Sequence, residues 1–219
     1  MITTTENIEI LKRLKLILAK SLPGVSAQKK MIPNFPTDAP EYFNYSQKLK
    51  DAAVLIVLFE ENSSLKTFFI ERTQDAGPHS GQIAFPGGRA ENTDKDLIDT
   101  ALREAYEETG VKVKPENVIG CLSPVQIPIS GFSVLPVVAF CEELPKFIPC
   151  KKEVKSIFTV DLINLLENES IRNVYARNTK IQAPCFVNGD KIIWGATAMV
   201  LKEFKEIFNE LKAGENGKD

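Results

Sequence analysis

The chain has 219 residues, 43% of them apolar, with a formal net charge of −2. That length and composition suit one domain of generous size with terminal additions, and the charge argues against sequence-independent nucleic-acid binding, which needs clustered Lys and Arg. One histidine and four cysteines without a C-x-x-C pair disfavour a His/Cys zinc site, and they read as free thiols in a reducing compartment.

In chain order, residues 3–22 predict an amphipathic helix. Thr3 and Glu6 are spaced as a capping box, Ile10, Leu11, Leu14, Ile17 and Leu18 recur at helical spacing, and Pro23-Gly24 ends the pattern. Residues 23–50, with Pro23, Pro33, Pro36 and Pro40, read as an irregular wrapping segment. Ala52–Phe59 is a continuous apolar run, the mark of a strand buried on both faces, and Thr67–Arg72 returns as its hairpin partner. In 77–88 (GPHSGQIAFPGG) the glycines and prolines allow only a short strand near Ile83–Phe85.

Residues 94–109 predict a helix with Asp94 as N-cap and Gly110 at the left-handed C′ position. Val118–Gln126 and Val134–Cys141 read as strands. Glu153–Val160 leads through another strand to a short helix at Asp161–Leu166. Ile181–Val187 and Lys191–Trp194 flank Asn188-Gly189, a hairpin signal. A closing helix covers Ala196 to Lys212, and the tail 213–219 is expected to fray. The division is thus 1–50, an N-terminal helix and wrapping segment; 51–212, the main domain; and the tail. Strands joined both by short turns and by longer crossovers predict an α/β fold with a mixed sheet between helices. With no membrane-spanning run and no leader-like N-terminus, the expected location is cytoplasmic.

The chemistry concentrates in Phe85–Val111. At 100° per residue, Glu104, Glu107 and Glu108 fall within an arc of about 100° on the acidic helix. Glu104 and Glu108 form an i,i+4 like-charge pair near a helix C-terminus, which costs stability on both counts. Leu97, Ile98, Ala101, Leu102 and Ala105 form the opposite face, so the helix packs on a core and holds its acids in place. Arg103, four residues before Glu107, can pair with it. Carboxylates held together at such cost suggest a hard divalent cation, Mg²⁺ or Mn²⁺, bridging them to phosphates. Gly87 and Gly88 let backbone approach a ligand closely.

This segment resembles the Nudix box, whose usual form is G-x5-E-x7-R-E-U-x-E-E-x-G-U. The matching residues are Gly88 and Arg103-Glu104-Ala105-Tyr106-Glu107-Glu108-Thr109-Gly110-Val111. Asp94 stands at the first glutamate, with eight residues rather than seven between it and Arg103. That longer spacing, and the run Thr100-Ala101-Leu102-Arg103-Glu104-Ala105, resemble the coenzyme A diphosphatase subgroup. So does an upstream signature of the form L-L-T-x-R-[SA]-x3-R-x3-G-x3-F-P-G-G, matched by Arg72, Thr73, Gly81 and Phe85-Pro86-Gly87-Gly88. Gly77 stands where that signature has a second arginine. Glu153-Val154 and Ile193-Trp194-Gly195-Ala196-Thr197-Ala198 add to the likeness, which covers roughly residues 50–205.

The resemblance implies a Nudix-like α/β/α sandwich with a mixed β-sheet. It also implies a Mg²⁺- or Mn²⁺-dependent hydrolase. Glu104 and Glu108 would be the principal metal ligands, and Glu107 a third ligand or the general base. The Gly88 carbonyl and Glu153 are further candidate ligands, Glu153 alternatively a base or a solvated charge. Arg103 would orient the carboxylates. Arg72 would reach the diphosphate or form a surface salt bridge, and His79, Gln82 and Gly87 would border the substrate. Trp194 reads as core rather than as a base-stacking platform. The implied partner is a small diphosphate substrate, coenzyme A or an acyl derivative, with no nucleic acid and no membrane, and a homodimer is left open. Gly77 keeps ADP-ribose or NADH open as substrates, and a non-hydrolysing nucleotide sensor is the reading from another class.

Overall fold

The structure is a computed structural model, and it describes residues 5–33, 48–73, 81–142, 145–176 and 179–213. Thr3, His79 and Gly77, and with them the capping box and the second-arginine position, lie outside those residues.

Helix α1 (Thr5–Leu18) is followed by a four-residue helix α2 (Val25–Gln28) and a 3₁₀ turn (Lys29–Met31). Strands β1 (Lys50–Glu61) and β2 (Ser64–Arg72) form the expected hairpin, with Asn62 and Ser63 at positive φ in its two-residue turn. Two short strands follow, β3 (Ile83–Ala84) and β4 (Gly87–Arg89), then helix α3 (Leu97–Thr109). Strands β5 (Val118–Cys121), β6 (Val125–Ile127), β7 (Phe132–Cys141) and β8 (Val154–Asp161) lead to α4 (Leu162–Glu167). The chain closes with β9 (Glu169–Ala176), β10 (Thr179–Asn188), β11 (Lys191–Trp194) and α5 (Ala196–Ala213).

Among the described residues, eight strands form one mixed sheet. Its spine runs β3-β2-β1-β7-β5, with β4 beside β1, β6 beside β7 and β8 beside β2. Only β1 and β7 run parallel there, over ten paired residues from Lys50↔Phe132 to Phe59↔Cys141. Strands β11-β10-β9 make a second, antiparallel sheet. The apolar run of β1 is explained by burial on both sides. Ala53, Leu55, Val57 and Phe59 pack with Ala101 and Ala105 of α3. Ile56 and Leu58 face the other way, with Phe204 and Ile207 of α5, Leu14 and Leu18 of α1, and Leu162 of α4. The α/β/α layering follows from that alternation.

Three expectations need correction, and one strand has no expectation set against it. Residues 23–50 are not irregular throughout: α2 and the 3₁₀ turn place Ala27 and Met31 in the core. Val118–Gln126 is two strands, because Ser123 and Pro124 leave the ladder. There the Ser123 N–H donates to the buried Glu203 carboxylate (3.1 Å), and Gln28 donates to the Ser123 carbonyl. Strand β9 carries no clear alternation, since it is mostly exposed, and its pairing to β10 from Glu169↔Phe186 to Thr179↔Ala176 makes it a strand. Finally, Asp96, not Asp94, caps α3, accepting from the Asp99 N–H at 2.8 Å. Asp94 serves the arginine of the acidic helix instead.

Candidate active site

Helix α3 lies across the α3-side face of the sheet, so its Arg-Glu-x-x-Glu-Glu run meets the backbone of β4. Gly110 ends the helix in the left-handed conformation, φ 73°, with its N–H on the Tyr106 carbonyl. Arg103 is the hub. Its Nε and Nη2 grip both oxygens of Asp94 at 2.8 and 3.0 Å. Its Nη1 reaches Glu104 at 2.8 Å and Glu107 at 3.1 Å, and its Nη2 also donates to the Arg89 carbonyl at 3.1 Å. This two-pronged contact pulls the Asp94 carboxyl far below the usual carboxylate range. The extra residue before Arg103 is accommodated here, because Asp94 also accepts from Thr100 Oγ1 and the Glu91 N–H and so closes the loop onto the helix.

Close approach of backbone requires glycine at 87, and glycine at 88 leaves the place that the Glu104 carboxylate takes. A Cβ on Gly88 would sit 2.5 Å from the Glu104 carboxyl carbon, and one on Gly87 would collide with the Ala53 carbonyl and stand 2.5 Å from Val54 Cα. The space they leave is filled by carboxylates. Glu108 is 2% exposed, accepts the Gly87 N–H at 2.8 Å and faces Arg72 Nη1 at 3.3 Å. Burial pushes its carboxyl up to about 7 against the pull of Gly87 and Arg72, with Glu104 and Glu153 adding repulsion. Glu104 is raised too, mainly by burial and also by its neighbours Glu107 and Glu153.

Glu153 reaches this group through backbone bonds that no local pattern announces. The Cys150 N–H donates to the Glu108 carbonyl and the Ile148 N–H to that of Thr109, tying the segment to the end of α3. The Thr73 N–H donates to the Glu153 carbonyl, next to Arg72.

These residues form one end of a cavity of about 510 Å³. Arg72, Gln82, Gly87, Gly88, Glu104, Glu108 and Glu153 all line it. The other end is apolar, built from Val125, Ile127, Phe132 and Val134 of β6 and β7 with Ala196 and Val200 of α5. Glu107 is absent from the lining; its carboxylate is 56% exposed and turned to Arg103. Trp194 packs beside Val174, Ile181 and Ala183 in the small sheet's own core, as expected of a core residue. Arg89 lines the cavity although the sequence reading did not single it out, and the apolar end was equally unmarked. Cross-strand pairing assembles it from segments without a motif.

Residues 49–177, more than half of the chain, match the NUDIX domain family. The chain belongs to the Nudix hydrolase family. Among its relatives is the uncharacterised Nudix hydrolase NudL of Pectobacterium atrosepticum, 37% identical over 143 residues, 64% of this chain and 72% of that protein. The human mitochondrial coenzyme A diphosphatase NUDT8 is 34% identical over 158 residues, 68% of this chain and 65% of that protein. The fold is similar to that of a MutT/nudix family protein from Enterococcus faecalis, with a TM-score of 0.50 at 16% identity over 95% of this chain and 76% of that one. The protein is therefore a Nudix hydrolase, of a family that uses divalent metals. No described helix is long and apolar enough to cross a membrane.

The donor set suits a divalent cation. Glu104, Glu108 and Glu153 repel one another across one end of the cavity, all offer oxygen, and the Gly88 cradle admits the Glu104 carboxylate against the backbone. Among the described residues, no three such side chains already stand in ligating geometry, since Glu104 is turned to Arg103 and Glu108 to the Gly87 N–H.

Proposed function

We propose that this Nudix hydrolase cleaves a nucleoside diphosphate-linked substrate, coenzyme A or an acyl derivative, to 3′,5′-ADP and (acyl-)4′-phosphopantetheine. Residues 51–212 would form the hydrolase domain and residues 1–50 an addition packed on it, in a cytoplasmic protein. The observation that carries the reading is the two-ended cavity: a carboxylate end fit for a metal and a diphosphate, continuous with an apolar end fit for a long, weakly polar arm. The likeness to a protein named as a coenzyme A diphosphatase supports the same substrate.

Glu104 and Glu108 would hold Mg²⁺ or Mn²⁺, with Glu153 and the Gly88 carbonyl as further donors. When bound, the cation spreads the diphosphate charge and acidifies the attacking water. Arg103 keeps Glu104 oriented through the clamp on Asp94, and Arg72 offers a guanidinium on the phosphate side of Glu108. A water oxygen attacks one phosphorus, the bridging P–O bond breaks, and the water's proton passes to a carboxylate. Glu153 is favoured over Glu107 for that proton, because Glu153 lines the cavity and Glu107 does not. Gln82 borders the substrate.

Product analysis on a panel of coenzyme A, acetyl-coenzyme A, ADP-ribose and NADH tests the reading. Coenzyme A and its acyl form should be cleaved fastest, cleavage should stop in EDTA, and excess Mg²⁺ should restore it. Faster turnover of ADP-ribose or NADH would replace the substrate, and EDTA-resistant turnover would remove the cation.

A further inference from the structure

Among the described residues, the cavity is lined by two cations, Arg72 and Arg89. Arg72 is engaged by Glu108. The Arg89 guanidinium, with five N–H donors, has no hydrogen-bond or ion-pair partner among the described residues. Its backbone, by contrast, is held on three sides. Arg89 pairs with Ala52 in the ladder, the next N–H, that of Ala90, donates to the Asp51 carbonyl at 3.0 Å, and the Arg89 carbonyl accepts from Arg103 at 3.1 Å. The arginine of the acidic helix thus anchors a second arginine at the cavity.

The strand register fixes which way Arg89 points. Directly paired residues project to the same face of a sheet. Arg89 pairs with Ala52, Ala52 with Val134, and Val134 with Val125, and all four line the cavity. Gly88, one residue earlier, faces Glu104 on the opposite side. Arg89 therefore stands on the α5 side at the β4 end of that row, next to Gly87 and Gly88 and so at the carboxylate end of the cavity, with the apolar members running away from it toward β6, while the carboxylates gather on the α3 side. Glu104 is answered by Arg103 and Glu108 by Arg72, so neither of these two acids draws on Arg89.

We propose that Arg89 binds a phosphate monoester of the substrate that lies outside the diphosphate. It thereby sets a preference for nucleoside diphosphate derivatives that carry an additional phosphate. This rests on the diphosphatase reading above. A guanidinium fork matches a phosphate monoester in two parallel hydrogen bonds, and its place across the sheet from the carboxylates separates that phosphate from the pair being cleaved.

The test reads binding as well as turnover. Adenosine 3′,5′-bisphosphate and AMP are titrated calorimetrically into the full chain in EDTA, for the wild type, Arg89→Ala and Arg89→Lys. The wild type should bind the bisphosphate roughly 10- to 100-fold more tightly than AMP, the contribution expected of a charge-assisted contact. Arg89→Ala should bring that ratio close to one with AMP binding unchanged, and Arg89→Lys should keep part of it. In turnover, Arg89→Ala should lower kcat/KM for coenzyme A by a similar factor and leave dephospho-coenzyme A unaffected. Equal binding of the two nucleotides by the wild type would overturn the proposal, as would a ratio that survives in Arg89→Ala. An equal loss on coenzyme A and dephospho-coenzyme A would overturn it too, placing Arg89 on the diphosphate itself. If the wild type cleaves no diphosphate with Mg²⁺, the diphosphatase reading falls, while the binding ratio still decides the role of Arg89.

Discussion

Glu108 concentrates the conflict between stability and chemistry in one side chain. It is 2% exposed, beside Glu104 and Glu153, with Arg72 as its one cationic contact among the described residues. Glu108→Gln keeps the shape and removes the charge. Turnover should fall by at least about 10²-fold, the scale of losing a group that meets developing charge. The melting temperature in EDTA should hold or rise, because burial favours the neutral form. Near-normal turnover would sink the assignment, and a large drop in melting temperature would make Glu108 a fold residue. Asp94 is the reverse case. Sequence spacing made it a cap, whereas it holds Arg103 with two oxygens. Asp94→Ala should cost about 2–4 kcal/mol in urea unfolding, since it removes two charge-assisted bonds from a largely buried guanidinium. It should also lower kcat/KM, because Arg103, which holds Glu104 and the Arg89 carbonyl, loses the anchor that fixes its own position. An unchanged unfolding midpoint would refute the clamp.

Between elements, one acidic side chain joins the two sheets. Glu71 of β2 accepts from Lys155 of β8 at 2.5 Å, from Ser156 of β8 at 3.1 Å and from Lys191 of β11 at 3.1 Å. The contact with Lys155 leads in lowering its carboxyl from 4.5 to about 2, with Lys191 and Ser156 assisting against burial. The unfolded chain thus binds more protons than the folded one between those values, so stability rises with pH across that window. The contribution is present above about 4.5 and is lost as pH falls toward 2. Glu71→Gln should lower the urea midpoint at pH 7 and flatten its fall between pH 4.5 and 2, so that wild type and variant converge in acid. Parallel curves across that range would show that the lysines do not hold the carboxylate. Pairing across the sheets was not legible beforehand, because Glu71 and Lys191 are 120 residues apart and neither lies in a motif. The same holds for Glu203, buried on α5, which accepts from Gly24, Gln28 and Ser123 and splits a strand that reads as continuous.

For the whole molecule, the N-terminal helices belong to the core that supports the site. Leu14 and Met31 are fully buried in the cluster that includes Ile56, Val138 and Phe204, and the Gln28 side chain donates to Glu203 at 3.1 Å. Deleting residues 1–33 should therefore cost more than about 5 kcal/mol, taking about 1.5–3 kcal/mol for each large apolar side chain removed from that layer. Urea unfolding of the truncated and full chains measures it, and equal midpoints would make residues 51–212 self-sufficient. The sequence by itself determined the family, the acidic helix and its glycine cradle, because that chemistry depends on residues at fixed short spacing along one loop and one helix. It also determined the sandwich, since a run apolar on every residue must be covered on both faces. Only the tertiary structure decided that Asp94 grips Arg103, that Glu153 lines the cavity with the carboxylates while Glu107 stays outside it on Arg103, and that Arg89 ends an apolar row opposite them. Those outcomes depend on strand register and on backbone bonds between distant segments, and a one-residue change of register in β4 would turn Arg89 to the other face.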